Sequence, residues 1–549
     1  MKIDNFDVLI YKKSDKYTGV IGVNRREKST NILNKITGLE ALDGAVVLTK
    51  NSNAVFVDGR YIEATKKTVD YKKFEILNLD IDTIINWIEK KSQKNSKIAY
   101  DPRFFTHKTI KKIKNSFPQS SFECVDLEKI LGITTKKREL HIHRINRFFS
   151  EEKLSNIYDM INKNNLDAYL LCDPCAISWA LNIRDLDSEY CPVVLGFLVV
   201  AKDRSVTLYI DDLYNAIPKN DINIKFEHEL LDDLKKFKSV GMDESETPSH
   251  LHHENFIYVK NPCALQKSIK NNIEINDIKS AAKKDSVAII NFLHWLSSYK
   301  SSITELEVAE QTLYFRKLQE GFIGESFPCI SAADENSALP HYSPNIKHNK
   351  VVQNILLLDS GGQYKYGTTD ITRTICLNET SDEQKMFYTL VLKGHIAIAN
   401  AKFPIGTTGM QLDSLARQYL WNHSSNYDHG TGHGIGYMLN VHEGPMSISK
   451  TNSVPLQSGM ILTNEPAYYK ENSFGVRLEN MILVKKEERS EFLSFETISL
   501  APFDVNFIDK KLLNNDEICW INTYHNRIVD ELKEYLDSEV LNWLKTWIL

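Results

Sequence analysis

Asp359 closes an apolar run, ILLLD, and Asp370 opens DITRTI, whose apolar and polar residues alternate as in a strand. Gly361, Gly362 and Gly367 lie between them. An antiparallel pair joined in this way sets the two carboxylates side by side. Carboxylates that close repel, and one must take a proton unless a cation lies between them. The plainer reading is a polar hairpin with exposed aspartates. A second pair of acids repeats the pattern. Glu465 ends the strand-like GMILTNEP, and Glu479 is embedded in RLENMILV, where an unpaired carboxylate is costly to bury. Arg477 stands two residues before Glu479, on the same face of an extended segment. It can orient an acidic cluster; the plainer reading is a single buried ion pair of Arg477 with Glu465.

Residues 428–436 read DHGTGHGIG. His429 and His433 are four apart, the spacing at which two imidazoles share one helix face and one zinc ion. Gly430, Gly432 and Gly434 argue against a helix, since each glycine costs about 1 kcal/mol in a helix interior. His433 together with Asp359, Asp370, Glu465 and Glu479 makes a hard, oxygen-rich set of four carboxylates and one imidazole. Such a set holds two divalent ions bridged by carboxylates, and it favours manganese, cobalt or zinc over a thiolate-type metal. Two such ions lower the pKa of a bridging water and clamp an attacked carbonyl, which is machinery for hydrolysis.

The elements that must position these groups fall in the last of three blocks. Helices are expected near 281–299, 304–319, 384–401 and 409–421, with strands at NILLLDSGG, DITRTICL, GMILTNEPAYY and GVRLENMILVKK. The tail 516–547 carries apolar residues at helical spacing. Earlier, a hairpin is expected around Asn51-Ser52-Asn53, a helix near 151–164, and strands at AYLLC, VVLGFLVVAK and SVTLYID. This is alternating α/β composition twice over, with no short internal repeat. At 549 residues the chain has room for three or four domains. Its net charge of -5 argues against general nucleic-acid binding. The run Lys136-Lys137-Arg138 reads as a solvated face or linker. No window approaches the roughly 18 apolar residues of a membrane helix, and MKIDNFDVLIYKK lacks the pattern of a secretory signal. With eight scattered cysteines, a cytoplasmic protein with reduced thiols is expected. Cys172 and Cys175 form a CxxC with no second pair to complete a zinc site. They read as semi-buried thiols, with Pro174 in a turn. His141 and His143, and the trio His250, His252 and His253, lack a matching further ligand and read as surface or linker histidines.

Together, DSGGQY…GTTDITRT, HGTGHGIG, TNEP and RLEN resemble the five ligand motifs of the pita-bread metallopeptidases, in order and in spacing. ALPHYSP, NVHEGP, DGRY at 58–61, SWALNIRD at 178–185 and the tail PFDVNFID…ICWINTYH resemble the aminopeptidase P (Xaa-Pro aminopeptidase) branch in its long three-domain form. The resemblance implies an α/β and α+β chain: two creatinase-like N-terminal α/β domains at 1–148 and 149–280, then a pita-bread catalytic domain at 281–549 with a tail from about 500. It implies that Asp359 chelates one metal, that Asp370 and Glu479 bridge both, and that His433 and Glu465 complete the second, with a bridging hydroxide as nucleophile. His429 would line the site, His341 would contact substrate or steady the intermediate, and His442 would hold the scissile carbonyl region. The glycines of HGTGHGIG would bend the chain so that His433 alone points at metal, and would let the backbone approach substrate. The ions expected are two divalent metals, Mn²⁺ first with Co²⁺ or Zn²⁺ as alternatives, the substrates peptides with proline second, and the assembly a homodimer. A proline dipeptidase and a catalytically inactive pita-bread peptide-binding module are the alternatives. The first is disfavoured by the long layout, the second by the complete ligand set.

Overall fold

The computed structural model describes residues 5–13, 32–39, 44–133, 139–140, 142–145, 150–186, 188–211, 213–214, 222–299, 301–346 and 348–549. The chain forms two compact units, Met1–Ala264 and Leu265–Leu549.

The first unit contains two six-stranded sheets. One orders its strands Glu75–Asn78, Asn53–Val57, Gly44–Thr49, Val8–Lys13, Lys97–Tyr100 and Ser121–Cys124. The other runs Asn223–Phe226, Val206–Ile210, Phe197–Ala201, Ala168–Leu171, Val240–Met242 and Phe256–Tyr258. Both pair parallel, antiparallel, antiparallel, parallel, parallel across the sheet. The two halves are therefore a structural repeat, built on sequences too different to show one. The hairpin expected at Asn51–Asn53 is present, with Leu48 opposite Asn53. Cys172 and Cys175 are fully buried rather than semi-buried, because Pro174 opens a helix, Pro174–Ala180, capped by Asp173, and does not form a turn. His252 stacks on His107 with ring centroids 4.0 Å apart, so it is a packing residue rather than a linker histidine. His143 lies exposed in the short strand Ile142–Arg144; His141 and the Lys136–Arg138 run fall outside the described residues.

The second unit opens with α1 (Asn272–Ser298) and α2 (Glu305–Lys317). Helix α1 starts earlier than its apolar pattern implies, because Asn271 and Glu274 form a capping box. A small sheet follows from β1 (Phe322–Glu325), β4 (Gly362–Tyr364) and β5 (Gly367–Thr368), and a three-stranded one from β2 (Ile330–Ala333), β3 (Ile355–Ser360) and β6 (Ile371–Cys376). Helices α3 (Asp382–Ala399) and α4 (Gly409–Trp421) come next, with β7 (Lys402–Pro404) between them. The remaining strands are β8 (Gly432–Gly434), β9 (Glu443–Ile448), β10 (Ile461–Asn464), β11 (Ala467–Lys470), β12 (Phe474–Arg477), β13 (Asn480–Lys486) and β14 (Phe492–Thr497). They form a six-stranded antiparallel sheet, β7-β14-β13-β10-β8-β9, and the hairpin β11-β12. The tail folds into α5 (Asn515–Leu532) and α6 (Ser538–Lys545). Ile521, Tyr524, Ile528, Leu532 and Leu544 of the tail join one apolar core with Tyr388, Phe474, Val476 and Phe503. The tail is thus part of the core that backs the acidic strands. Among the described residues no helix is long and apolar enough to cross a membrane.

Candidate metal centre

Strands β3 and β6 run antiparallel with Asp359 opposite Thr372, so Asp370, just ahead of β6, comes alongside Asp359 as the hairpin reading expects. Both aspartates are buried, and the exposed polar hairpin is excluded. Glu465 follows β10 directly. Glu479 lies in the step between β12 and β13, not inside one strand. That step turns its carboxylate toward the aspartates, and Thr372 Oγ1 donates to Glu479 Oε2 at 2.7 Å.

His433 sits in the middle of β8. Its Nδ1 contacts the Gly434 carbonyl at 3.0 Å, and a carbonyl can only accept, so Nδ1 carries the proton. The Nε2 lone pair then faces Asp370 Oδ2 at 3.4 Å and Glu465 Oε1 at 3.7 Å. Gly432 and Gly434 serve strand packing. A Cβ on Gly432 would lie 2.0 Å from the Thr463 carbonyl oxygen, and one on Gly434 would lie 2.3 Å from that of Glu443. None of the four glycines of HGTGHGIG takes a positive φ. The β8–β9 register shifts between His433 and Gly434, and the close approaches of Gly432 and Gly434 are to neighbouring strands.

Arg477 does not pair with Glu465. Its guanidinium donates to Asp359 Oδ2 at 2.6 Å, to Tyr469 Oη at 2.5 Å, to Thr372 Oγ1 at 3.3 Å and to the Pro340 carbonyl at 3.2 Å. Burial alone would lower its pKa, but Tyr469 and the surrounding carboxylates, Asp359 foremost, hold it above the ordinary arginine value. His429 Nδ1 contacts the Gly430 carbonyl at 2.7 Å, and its Nε2 meets Tyr469 Oη at 2.9 Å. Tyr469 accepts from Arg477 and so donates to His429, a chain that burial reinforces by pushing the phenol up to about 12. His442 packs edge-on against His433 with centroids 4.2 Å apart. His341 is half-buried next to Pro340, whose carbonyl Arg477 holds.

Burial, then the Asp359 and Glu465 carboxylates, pushes Asp370 well above the usual carboxylate range. Burial, Asp370, Asp359 and Glu465 do the same to Glu479. Protein groups alone leave this cluster short of positive charge. Asp370, His433 and Glu479 each present a ligand atom within 4.8 Å of the others, room for one ion. Asp359 Oδ1 is buried and has no hydrogen-bond partner among the described residues, although Oδ2 is held by Arg477. An unmatched acceptor, a lone pair aimed at carboxylates and hard oxygen donors together suit a divalent cation.

Three residues that pattern reading overlooked hold this frame. Thr372 links Arg477 to Glu479. His395 of α3 contacts the Leu478 carbonyl and Asn480 Nδ2 at 3.2 Å each, and its own carbonyl accepts from Asn464, so it braces both glutamate turns. Arg373, fully buried, donates to the carbonyls of Thr372, Glu479, Ala501 and Pro502 and to Asn480 Oδ1. A charged residue alternating within an apolar strand, as in DITRTI, was the available signal for Arg373; His395 on an apolar helix face offered none.

Residues 276–486 match metallopeptidase family M24, and 491–547 match the C-terminal region of that peptidase. Residues 35–132 and 139–274 each match the creatinase/prolidase N-terminal domain. Aminopeptidase P2 of Arabidopsis thaliana is 31% identical over 93% of this chain and 81% of its own length. The chain belongs to the aminopeptidase P branch of the pita-bread metallopeptidases. Xaa-Pro aminopeptidase 1 of Dictyostelium discoideum is likewise 31% identical, covering 93% of this chain and 90% of its own. The X-prolyl aminopeptidase of Caenorhabditis elegans, described as a cytosolic enzyme with a di-nuclear active site, superposes with a TM-score of 0.92. It is 27% identical and covers 99% of this chain and 95% of its own. By contrast, the Xaa-Pro dipeptidase of Bacillus anthracis spans 65% of this chain at a TM-score of 0.54. As a member of the aminopeptidase P branch, this chain is a metallo-aminopeptidase.

Proposed function

We propose that this chain hydrolyses the bond between an N-terminal residue and a penultimate proline, using two divalent metal ions. Proline's tertiary amide lacks an N–H and fixes φ, which defeats general peptidases and calls for a dedicated site. The observation that carries the reading is the buried cluster in which His433 Nε2 faces Asp370 and Glu465 and shares a metal-sized group with Asp370 and Glu479, with Asp359 beside Asp370. In this reading Asp359 would serve one ion, Asp370 and Glu479 both, and His433 and Glu465 the second. Bound ions supply Lewis acidity, which makes hydroxide available near neutral pH and polarises the scissile carbonyl. Arg477 and Thr372 orient the carboxylates of Asp359 and Glu479. His429, its Nε2 occupied by Tyr469, lines the site and does not ligate. His341 contacts the substrate or steadies the intermediate, and His442 holds the scissile carbonyl region. Mn²⁺ is proposed as the ion, with Co²⁺ or Zn²⁺ as substitutes.

The segments 1–148, 149–280 and 281–549 are proposed as the three domains of the long form, in a cytoplasmic homodimer; the cytosolic description of the nematode enzyme supports the location. The test is hydrolysis of Arg-Pro-Pro and of the dipeptide Arg-Pro by chelated protein after adding back Mn²⁺, Co²⁺ or Zn²⁺. Metal-dependent release of arginine from the tripeptide is expected, and Asp370→Asn should abolish it. Cleavage of the dipeptide alone would instead mean a proline dipeptidase, and no cleavage of either would sink the enzymatic reading.

A further inference from the structure

Residues 426–431 connect α4 to β8 without regular secondary structure, yet they carry His429 and lead directly into His433. Irregular backbone at a buried site needs side-chain partners for its polar groups. Arg417 of α4, fully buried, supplies them. Its Nε and one Nη bind Asp413 Oδ2 and Oδ1 at 2.6 and 3.1 Å, a bidentate fork one helical turn away. Its remaining N–H groups go to Asn426 Oδ1 at 3.0 Å, the Tyr427 carbonyl at 2.6 Å and the His429 carbonyl at 2.7 Å. All five guanidinium donors are therefore used, three of them on this one connection. The guanidinium also lies 3.8 Å from the Tyr427 ring centroid.

Asp413 extends the same grip. Its Oδ1 accepts from Thr431 Oγ1 at 2.6 Å, and Thr431 Oγ1 also meets Tyr427 Oη at 2.6 Å. The Thr431 carbonyl accepts the Glu465 backbone N–H at 2.7 Å. One chain of contacts thus runs from helix α4 to the backbone of Glu465 and to His429, and touches neither Asp359 nor Asp370.

We propose that the buried Asp413–Arg417 pair is a positioning device for one half of the metal centre, the half completed by His433 and Glu465, and for His429 beside it. The inference rests on the two-ion reading given under Proposed function. A lysine at 417 keeps the charge opposite Asp413 but cannot make the fork and reach three loop acceptors at once. Loss of such supporting contacts weakens metal affinity by roughly 10–100-fold.

The test is calorimetric titration of chelated full-length protein with Mn²⁺, for the wild type, Arg417→Lys and Thr431→Val, with circular dichroism to confirm folding. The wild type should take up two ions. In each folded variant, one binding step should weaken by roughly 10–100-fold while the other stays within about twofold. Should Arg417→Lys not fold, Thr431→Val decides alone. Isotherms identical to wild type overturn the inference, as does equal weakening of both steps, which would mean a general structural role. A wild type that binds no Mn²⁺ overturns the two-ion reading itself, so the two failures are told apart.

Discussion

Asp370 carries a charge conflict that metal should resolve. It is buried among Asp359, Glu465 and Glu479, and burial is the largest cause of its raised pKa. Replacing it with asparagine keeps the shape and removes one of four clustered carboxylates. Metal-free Asp370→Asn should therefore melt higher than metal-free wild type at pH 7.5, by a few degrees for each ~1 kcal/mol relieved. Adding Mn²⁺ should reverse the order, because only the wild type gains binding energy. Differential scanning fluorimetry with and without metal checks both halves; a lower melting point for the metal-free variant would contradict the charge argument. Tyr469 offers a second test. Tyr469→Phe leaves His429 Nε2 without its donor and Arg477 Nη1 without its acceptor. Activity should fall roughly 10–100-fold with the fold intact, as for other losses behind a metal site. Activity within twofold of wild type would show that the Arg477–Tyr469–His429 chain is incidental.

Strand β8 presents His433 only because β10 lies close against it. Gly432 admits no side chain there, since an added Cβ would lie 2.0 Å from the backbone oxygen of Thr463. Backbone cannot rotate out of the way as a flexible side chain can. Gly432→Ala should thus destabilise the protein by about 1–3 kcal/mol, a usual cost of overpacking, and weaken Mn²⁺ binding along with it. Thermal melts and metal titration of this variant test the point, and unchanged values for both would refute it. Arg373 works at the same scale. No carboxylate pairs with it among the hydrogen bonds described; four backbone carbonyls and Asn480 do, and Phe503 lies 4.3 Å from its guanidinium. Strand β6, the Glu479 turn and the start of the tail are joined through this one side chain.

Two buried histidines and one buried aspartate shape the acid response of the second unit. Burial lowers His395 to about 3 and His525 to about 4. Each is satisfied as a neutral ring: His525 Nδ1 donates to the Trp547 carbonyl at 2.5 Å, and Nε2 accepts the Phe503 N–H at 3.1 Å. Their folded values lie below the ordinary 6.5. The unfolded chain therefore takes protons first, and the stability they contribute is complete above about pH 6.5 and lost as pH falls toward their folded values. Asp504 acts in the opposite sense. Burial raises it from 3.8 to about 6, so its contribution is present below about 3.8 and lost as pH rises through 6. The two histidine shifts together exceed that of Asp504, at about 1.4 kcal/mol per unit. Asp370 and Glu479 are also raised in metal-free protein and act in the same sense as Asp504. The readout is therefore a difference between variants: from pH 6.5 to 4.5 the melting temperature of metal-free His525→Gln should drop less, or rise more, than that of metal-free wild type. Parallel profiles would show that His525 does not contribute.

The candidate ligands were legible in the chain because hard-metal donors are few in kind and these lie at strand ends marked by apolar runs. Asp359, Asp370, His433, Glu465 and Glu479 could be chosen from residue type and local pattern, and the structure brings them together. The helices of the last block and the hairpin at 51–53 were legible for the same reason, being local periodicities. What lay beyond local pattern was decided by contacts distant in sequence. Arg477 takes Asp359, not Glu465, because β12 and β3 meet only in the folded unit. The glycines of HGTGHGIG serve the packing of β10 and β9, which no nearby residue announces. The repeated topology of the two N-terminal sheets is carried by strand order, which unrelated side chains can share. The work of Arg417, His395 and Arg373 is likewise tertiary. A buried arginine or histidine reads in sequence as one more residue of a helix or strand, and only its partners show what it holds in place.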